Sequence, residues 1–208
     1  MMGIVSRRAS RFAELVLPAL FLPGCFGEPP EPLPEGFCAP INFEQVCGPF
    51  DFVGAGTEPG FEGGVSLIVD NPDRGGLNDS AKVVQMQKFR AESGLTFGGS
   101  TLQRPDGVDF SRGEAVTMLV WATREVPVTF KFEGIEQERV VSHSGSGGWE
   151  ELCFDFTGTT DGPPVTGITF IFDANVLGDA AANPGDWTFY YDEIAHVESC
   201  GGAGGTPP

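Results

Sequence analysis

Positive charge is scarce in this chain. Its 208 residues include 12 Lys and Arg against 29 Asp and Glu, which gives a formal net charge of −17. Proteins bind nucleic acids through basic surfaces that release counterions from the phosphates, so the composition argues against a nucleic-acid partner. Anionic lipid also attracts basic patches, so we expect no membrane contact through the folded domain itself.

Catalytic side chains are also few. The sequence has only two histidines, His143 and His196, and neither lies in a nucleophile motif. The run Ser144–Gly148 lacks the first Gly of a Gly-x-Ser-x-Gly elbow. His143 lies in this Ser/Gly loop and is expected at the surface. Paired carboxylates can hydrolyse glycosides, but among so many acids no pair is singled out. We therefore expect a protein that is not an enzyme.

No hydrophobic run is long enough to span a membrane. Residues 12–22 are mostly apolar, are interrupted by a Glu and a Pro, and follow three Arg, which is typical of a secretory signal. The run ends Leu22-Pro-Gly-Cys25, which resembles the bacterial lipobox, where the Cys is lipidated and becomes the new N-terminus. We expect residues 1–24 to be a signal peptide and Cys25 to anchor the exported chain to the bacterial envelope, at the outer membrane or cell surface. Simple cleavage that leaves Cys25 free is the alternative.

The segments around the expected domain contain little that could be buried. Residues 25–36 are rich in Pro and Glu, which predicts an extended spacer, and residues 201–208 predict a flexible tail. The folded domain is expected at residues 37–200. We expect it to be a monomer.

Cysteine usage indicates an oxidising compartment. If Cys25 carries lipid, then Cys38, Cys47, Cys153 and Cys200 remain, and an even number in an exported chain predicts two disulfides with three possible connectivities. No Cys-x-x-Cys motif occurs, so a zinc site or a thioredoxin-like motif is not expected.

Short strands dominate residues 37–200, and almost no helix is predicted. Thirty Gly and 17 Pro fit many tight turns. Runs that alternate or are enriched in β-branched and aromatic residues predict strands. These runs are 41–46, 65–70, 82–89, 114–123, 126–133, 137–142, 151–156, 167–173 and 187–197. About nine short strands without a βαβ rhythm predict an all-β fold, an antiparallel β-sandwich.

Several short motifs then follow one another in an order that carries a resemblance. They are Asp70 to Met86, Phe97-Gly-Gly-Ser100, Val108-Asp-Phe-Ser111, Phe130-Lys-Phe-Glu133, Gly148-Trp-Glu-Glu-Leu152 and Tyr190-Tyr-Asp-Glu-Ile194. Over residues 41–197 the chain resembles jelly-roll carbohydrate-binding modules of the galactose-binding-like group, as carried on bacterial glycoside hydrolases and surface lipoproteins. One departure is that Phe97-Gly-Gly stands where the group leads us to expect Trp-Ala-Gly.

The resemblance implies a structural calcium ion that ties the opening strand to the closing strand through oxygen ligands. By motif position the ligands are Glu44 and Asp192, with Asn78 supplying an oxygen from the loop before Lys82. The alternative is that Glu44 and Asp192 are solvated carboxylates at a sheet edge.

Sugar recognition needs flat aromatic faces beside side chains that hydrogen-bond hydroxyl groups. Alternation sends Trp121 away from Met118, Val120 and Ala122, which predicts that it lies on an open sheet face near Lys131. Trp187 borders a Gly/Pro/Asn/Asp loop. The predicted carbohydrate contacts are therefore Phe97, Trp121, Lys131 and Trp187, while Trp149 is expected in the core.

The resemblance also bears on the disulfides. In this sandwich class the first and last strands are antiparallel neighbours, and a register that pairs Glu44 with Asp192 also brings Cys38 close to Cys200. We therefore predict Cys38–Cys200 and, as the remainder, Cys47–Cys153. The alternative is a local Cys38–Cys47 bridge, which leaves Cys153 to pair with Cys200.

Together these patterns predict a lipid-anchored module that binds a polysaccharide or oligosaccharide without cleaving it and meets the membrane only through its N-terminal lipid. The alternatives are a structural or protein-interaction sandwich on the cell surface, and a polysaccharide-cleaving enzyme.

Overall fold

The computed structural model describes residues 41–44, 50–53, 61–105, 107–135 and 137–201. Within these ranges the chain forms strands and two 3₁₀ turns, Phe61–Gly63 and Phe110–Arg112, with no α-helix and so no helix that could cross a bilayer. The strands are β1 (Phe52–Val53), β2 (Gly64–Asp70), β3 (Lys82–Lys88), β4 (Gly99–Gln103), β5 (Ala115–Trp121), β6 (Glu125–Glu133), β7 (Gln137–Ser144), β8 (Trp149–Asp155), β9 (Gly167–Phe172) and β10 (Thr188–Val197).

These strands build two five-stranded sheets. The first sheet has the order β1-β4-β9-β6-β7, and the second has the order β2-β3-β10-β5-β8. Every pairing within them is antiparallel. The chain crosses between the sheets after β1, β3, β4, β5, β7, β8 and β9. The predicted antiparallel jelly-roll sandwich is confirmed.

Phenylalanine fills the space between the sheets. Alternation along β6 turns Val128, Phe130 and Phe132 inward, where each is fully buried. Strands β8, β9 and β10, with the residue after β8, supply further buried aromatic rings, which lie edge-to-face, tilted or stacked against their neighbours. They are Phe154, Phe156, Phe170, Phe172, Phe189 and Tyr191.

The sequence predicted eight of the ten strands but missed β1 and β4. The β4 sequence, GSTLQ, shows neither alternation nor β-branched enrichment. Gly99 is required there because a Cβ atom would lie 2.3 Å from the carbonyl oxygen of Phe170 on β9. The backbone of β4 pairs with both β1 and β9, and sequence patterning does not report such pairing.

Gly64 on β2 also has no room for a side chain, since a Cβ atom there would lie 2.1 Å from the carbonyl oxygen of Gly99. Two glycines at one close approach therefore let β2 and β4, which belong to different sheets, pass each other with their backbones almost in contact.

The predicted disulfide pairing is wrong. Cys153 pairs with Cys200, with 5.6 Å between their Cα atoms, so neither Cys38–Cys200 nor Cys47–Cys153 can form. The bridge forms because β8 and β10 both flank β5 in the second sheet, which brings Cys153 of β8 near the chain just after β10. Cys38 and Cys47 lie outside the described residues.

The expected pairing of the opening segment with the last strand is confirmed at one position. Ile41 and Ile194 form an antiparallel bridge in which each N–H donates to the other residue's carbonyl oxygen, at 2.7 and 3.0 Å. Most of the predicted strand 41–46 is not seen as a strand, since residues 42–44 are irregular and residues 45–49 lie outside the described residues.

Candidate functional site

The outward face of the second sheet carries a strip of aromatic, amide and hydroxyl side chains. Gln85 of β3, Tyr190 of β10 and Trp121 of β5 lie side by side, because the register pairs them across antiparallel strands. Gln87 and Thr188 form the adjacent pair. We call these five residues the open-face strip, and all five are partly exposed.

Contacts within the open-face strip fix its side chains. The Nε2 atom of Gln85 donates to the Tyr190 hydroxyl at 3.2 Å, and the Nε2 atom of Gln87 donates to the Thr188 hydroxyl at 3.0 Å. The rings of Trp121 and Tyr190 meet edge-to-face, with 5.4 Å between their centroids. Each glutamine uses one amide hydrogen in these bonds, and its amide has a second hydrogen and an oxygen with which to bind a hydroxyl group.

Residues 71–81 cover the neighbouring part of this face. Trp149, which the register pairs with Trp121, is buried beneath them and donates its Nε1 hydrogen to the Asp73 carbonyl oxygen at 2.8 Å. The prediction that Trp149 is buried is confirmed, although it packs against Val83 and Leu119 on the outward side of the sheet. The open-face strip therefore begins where this cover ends.

Lys131 does not share a surface with Trp121, so that prediction is wrong. Trp121 ends β5 in the second sheet, whereas Lys131 lies on β6 in the first sheet. Residues 122–124 carry the chain from one sheet to the other, and the outward sides of the two strands consequently face opposite directions. Lys131 forms an ion pair with Glu133 at 3.0 Å.

The other two predicted carbohydrate contacts, Trp187 and Phe97, lie outside the open-face strip. Trp187 precedes β10 and packs against the core, with the Arg124 guanidinium 4.6 Å from its ring centroid. Phe97 lies in the loop between β3 and β4 and is 47% exposed. The structure thus leaves Trp121 on the open-face strip and Phe97 as a separate exposed ring.

Segment 78–82 links the three predicted metal ligands. Glu44 Oε1 accepts hydrogen bonds from the backbone N–H groups of Ala81 and Lys82. The Asn78 amide donates to Asp192 Oδ2 at 3.1 Å. Glu44 and Asp192 therefore each hydrogen-bond to this segment, at different positions.

Asp192 is the member of this group that best fits a cation. It is fully buried, and its Oδ1 atom has no hydrogen-bond partner among the described residues. Burial raises the pKa of Asp192 to about 6. A buried carboxylate oxygen without a partner is a strong ligand for a hard cation such as calcium.

In its present orientation, the Asn78 amide does not offer its oxygen to a cation beside Asp192. It presents its hydrogens to Asp192, while its Oδ1 accepts from the Ser80 N–H at 2.9 Å. Within the described ranges no three His, Cys, Asp or Glu side chains gather as metal ligands. A calcium ion here would therefore use the two carboxylates together with loop oxygens, and Asn78 would have to rotate its amide.

His143 is buried, so its predicted surface position is wrong. It lies on β7, where its side chain turns inward beside Val126 of β6. Its Nδ1 atom accepts the Gly145 N–H at 2.9 Å, and Nε2 lies 3.1 Å from the Gly148 carbonyl oxygen. The hydroxyls of Ser144 and Ser146 donate to Glu150 rather than to His143, so this loop does not form a Ser–His nucleophile pair.

Sequence reasoning overlooked Gln85, Gln87, Thr188 and Tyr190. Their signal was available in the alternation of β3, where Val84 and Met86 are buried and the glutamines between them must face outward. What could not be read was the register that places Gln85 beside Tyr190 and Tyr190 beside Trp121.

Neither a family model nor a curated protein matches the chain, whereas several solved structures are similar to it. Among solved structures, the chain is similar to a mutant of a family 29 carbohydrate-binding module, at 14% identity over 69% of this chain and 99% of that one, with a TM-score of 0.40. It is also similar to the family 11 carbohydrate-binding module of a cellulosomal cellulase of Clostridium thermocellum, at 16% identity over 66% of this chain and 84% of that one, with a TM-score of 0.42.

A third similar structure is a family 43 arabinoxylan arabinofuranohydrolase from Bacillus subtilis in complex with cellotetraose. The identity is 15% over 65% of this chain but 25% of that one, and the TM-score is 0.42. At such identities and at TM-scores below 0.5, these likenesses do not assign a function. Any function is inferred from this chain's own residues.

Proposed function

We propose that this protein binds carbohydrate, as a polysaccharide or oligosaccharide, without cleaving it, and that the open-face strip is its main contact surface. The observation that carries the proposal is the strip itself, in which Trp121 and Tyr190 lie beside Gln85, Gln87 and Thr188 on adjacent strands. Aromatic rings contact the apolar C–H face of a pyranose, and amides and hydroxyls bind its hydroxyl groups.

The net charge of the protein limits the class of glycan that it can bind. The chain carries a formal net charge of −17, which repels polymers rich in uronate or sulfate. The ligand is therefore a neutral or cationic glycan.

Phe97 is a second candidate contact. Its ring is 47% exposed, and it lies in the loop that follows β3, the strand that carries Gln85 and Gln87. Lys131 and Trp187 receive less support, because Lys131 lies on the first sheet and Trp187 packs against the core beneath Arg124.

A structural calcium ion is part of the proposal, held by Glu44, Asp192 and oxygens of the 78–82 segment, including Asn78 after rotation of its amide. Calcium would give the buried Asp192 carboxylate a positively charged partner, because its Oδ1 atom has no hydrogen-bond partner among the described residues. The consequence is a firmer attachment of residues 71–81, which bound the open-face strip.

The cellular setting is proposed from sequence alone. A signal peptide at residues 1–24, lipid on Cys25 and a Pro/Glu spacer would hold the domain outside the cytoplasm at the bacterial envelope. The Cys25→Ser variant should then appear in the soluble exported fraction. Complete retention of that variant in membranes would contradict the anchor.

Affinity electrophoresis of the Cys25→Ser protein tests the binding proposal. Gels would contain β-glucan, xylan, galactomannan or the cationic glucosamine polymer chitosan, with the anionic polymers alginate and pectin for comparison. Retardation by a neutral or cationic polymer that Trp121→Ala abolishes supports the proposal. No retardation by any of them favours a structural or protein-interaction role, and release of reducing sugar would point instead to cleavage.

A further inference from the structure

Lys88 is a buried cation at the end of β3. Val84 and Met86 face the core, and Lys88 occupies the next inward position of the same alternation, with 1% of its surface exposed. Its Nζ atom donates to the carbonyl oxygens of Thr96 at 2.8 Å, Phe172 at 2.8 Å and Asp173 at 2.7 Å. The three hydrogens of the ammonium group thus have three acceptors.

These acceptors belong to two separate parts of the chain. Thr96 lies in the loop between β3 and β4, whereas Phe172 ends β9 and Asp173 begins the link to β10. The backbone of Lys88 adds a further tie, because its carbonyl oxygen accepts the Ala180 N–H at 3.0 Å. Lys88 therefore joins two loops that are far apart in sequence.

Both loops place a glycine against Lys88. A Cβ atom on Gly98 would lie 3.2 Å from Lys88 Cγ and 2.8 Å from a backbone oxygen of residue 62. A Cβ atom on Gly178 would lie 2.4 Å from the carbonyl oxygen of Lys88. The two loops thus enclose Lys88 at distances that only glycine allows.

The charged neighbours of Lys88 are engaged with each other. Asp173 forms an ion pair with Arg124 at 2.5 Å, and the Arg124 Nε atom donates to the Asp186 carbonyl oxygen at 2.8 Å. Desolvation lowers the pKa of Lys88 to about 8, against the attraction of Asp173. A buried charge of this kind is costly, and such costs are tolerated where a defined geometry is needed.

The enclosed loops carry exposed apolar side chains. Leu95 and Phe97 precede β4, and Val176 lies in the link between β9 and β10, with exposures of 44%, 47% and 46%. We call these three residues the loop rim. Lys88 binds the backbone of Thr96, between Leu95 and Phe97, and the backbone of the β9–β10 link before and after Val176.

We propose that Lys88 is the positioning residue of the loop rim: its ammonium group acts as a built-in cation that holds the Phe97 loop against the β9–β10 link, so that the Phe97 ring meets a sugar in a fixed position. Binding then requires no ordering of the loop, which is the usual gain from preorganisation. The inference rests on the proposed function, for which Phe97 is a candidate contact.

Hydrogen exchange of the full chain, followed by mass spectrometry, tests the positioning role. Lys88→Met keeps an unbranched apolar stem and removes the charge and all three donors. Lys82→Met is the matched control on the same strand, since Lys82 pairs with the exposed Asp70 at the surface. We expect peptides covering residues 94–98 and 174–180 to exchange about tenfold faster or more in Lys88→Met and to be unchanged in the control. Unchanged exchange there, or equal acceleration throughout the chain, would overturn the proposal.

A double-mutant cycle tests whether Lys88 acts through Phe97. With a polysaccharide that retards the wild-type protein, Lys88→Met and Phe97→Ala should each weaken binding, and the double variant should bind no more weakly than Phe97→Ala alone. Independent, additive losses would overturn the positioning role. If the wild-type protein binds no polysaccharide, the proposed function fails, while the exchange experiment still decides whether Lys88 holds the two loops.

Native acetylation covers the case in which Lys88→Met does not fold. The sequence has three lysines, Lys82, Lys88 and Lys131, so each can be followed by mass spectrometry after treatment with an acetyl N-hydroxysuccinimide ester. Lys88 should react at least about tenfold more slowly than Lys82, because its ammonium group is enclosed. Equal rates would show an open ammonium group and overturn the proposal.

Discussion

The outward faces of the two sheets use their polar side chains in different ways. On the first sheet the Thr169 hydroxyl binds both Thr101 at 2.8 Å and Glu133 at 2.6 Å, and Glu133 also pairs with Lys131. These groups satisfy one another in a connected network. On the second sheet the open-face strip forms isolated pairs beside two aromatic rings.

A polar sheet face is therefore not sufficient for sugar binding. A network whose donors and acceptors already bind each other gains little by exchanging them for sugar hydroxyls. Paired glutamines beside Trp121 and Tyr190 retain hydrogen-bonding capacity and offer apolar ring surface. Variants of both sheets test this contrast.

Removal of the Cys153–Cys200 bridge should have the largest effect. The bridge spans 47 residues and ties edge strand β8 of the second sheet to the chain after β10. The double variant Cys153→Ser/Cys200→Ser should lose about 2–4 kcal/mol of unfolding free energy, measured by urea unfolding. An unchanged midpoint would contradict this, and a reducing agent should shift the midpoint of the wild-type protein by more than that of the variant.

Calcium should stabilise the covered part of the second-sheet face. At a concentration about 100 times its dissociation constant, calcium would add about 2.7 kcal/mol and raise the melting temperature. The chelator EGTA should reverse the shift, and Asp192→Asn should show none. A metal-stripped protein whose melting temperature ignores calcium would leave Glu44 and Asp192 as carboxylates that serve hydrogen bonding alone.

Trp121→Ala should weaken glycan binding by roughly 1–3 kcal/mol, by analogy with the stacking of bases on aromatic rings. The loss arises because the variant removes the largest ring of the open-face strip. Affinity electrophoresis measures it, with circular dichroism to verify the fold. If a folded Trp121→Ala protein bound as tightly as the wild type, the open-face strip would not be the binding surface.

The pH dependence of stability should reveal the buried ammonium group of Lys88. Desolvation lowers the pKa of Lys88 to about 8, below its ordinary value of 10.5. Between these values the unfolded chain keeps a proton that the folded chain has released, so the free energy of unfolding rises with pH.

Relative to Lys88→Met, the wild-type protein should therefore gain stability as the pH rises from 8 to 9, by at most about 1.4 kcal/mol. Urea unfolding at several pH values measures this difference. A wild-type protein that instead lost stability relative to Lys88→Met over this range would contradict the lowered pKa.

Lys131→Ala should have the smallest effect. Its partly exposed ion pair with Glu133 contributes about 0–1 kcal/mol to stability, and high salt should reduce that contribution. Because Lys131 lies on the first sheet, glycan binding should be unchanged. A loss of binding comparable with that of Trp121→Ala would move the binding surface to the first sheet.

Much of the fold follows from local patterning. The alternation of Val128, Phe130 and Phe132 predicted β6 and its buried side, and similar patterns predicted seven other strands. The candidate site was predicted less well. Trp121 was placed on an outward face, but Lys131 was wrongly set beside it, and the polar residues of the open-face strip were overlooked.

The sequence alone determined eight of the ten strands and which side of a strand such as β6 is apolar, because a strand's side chains alternate with a period of two. The tertiary structure alone decided which sheet each strand joins and which strands become neighbours. Trp121 and Lys131 are ten residues apart but lie on opposite sheets, whereas Gln85, Trp121 and Tyr190 are far apart in sequence and adjacent in space. The same applies to Cys153 with Cys200 and to the carbonyl groups around Lys88. Such pairings depend on where the chain crosses between sheets, and no local pattern records those crossings.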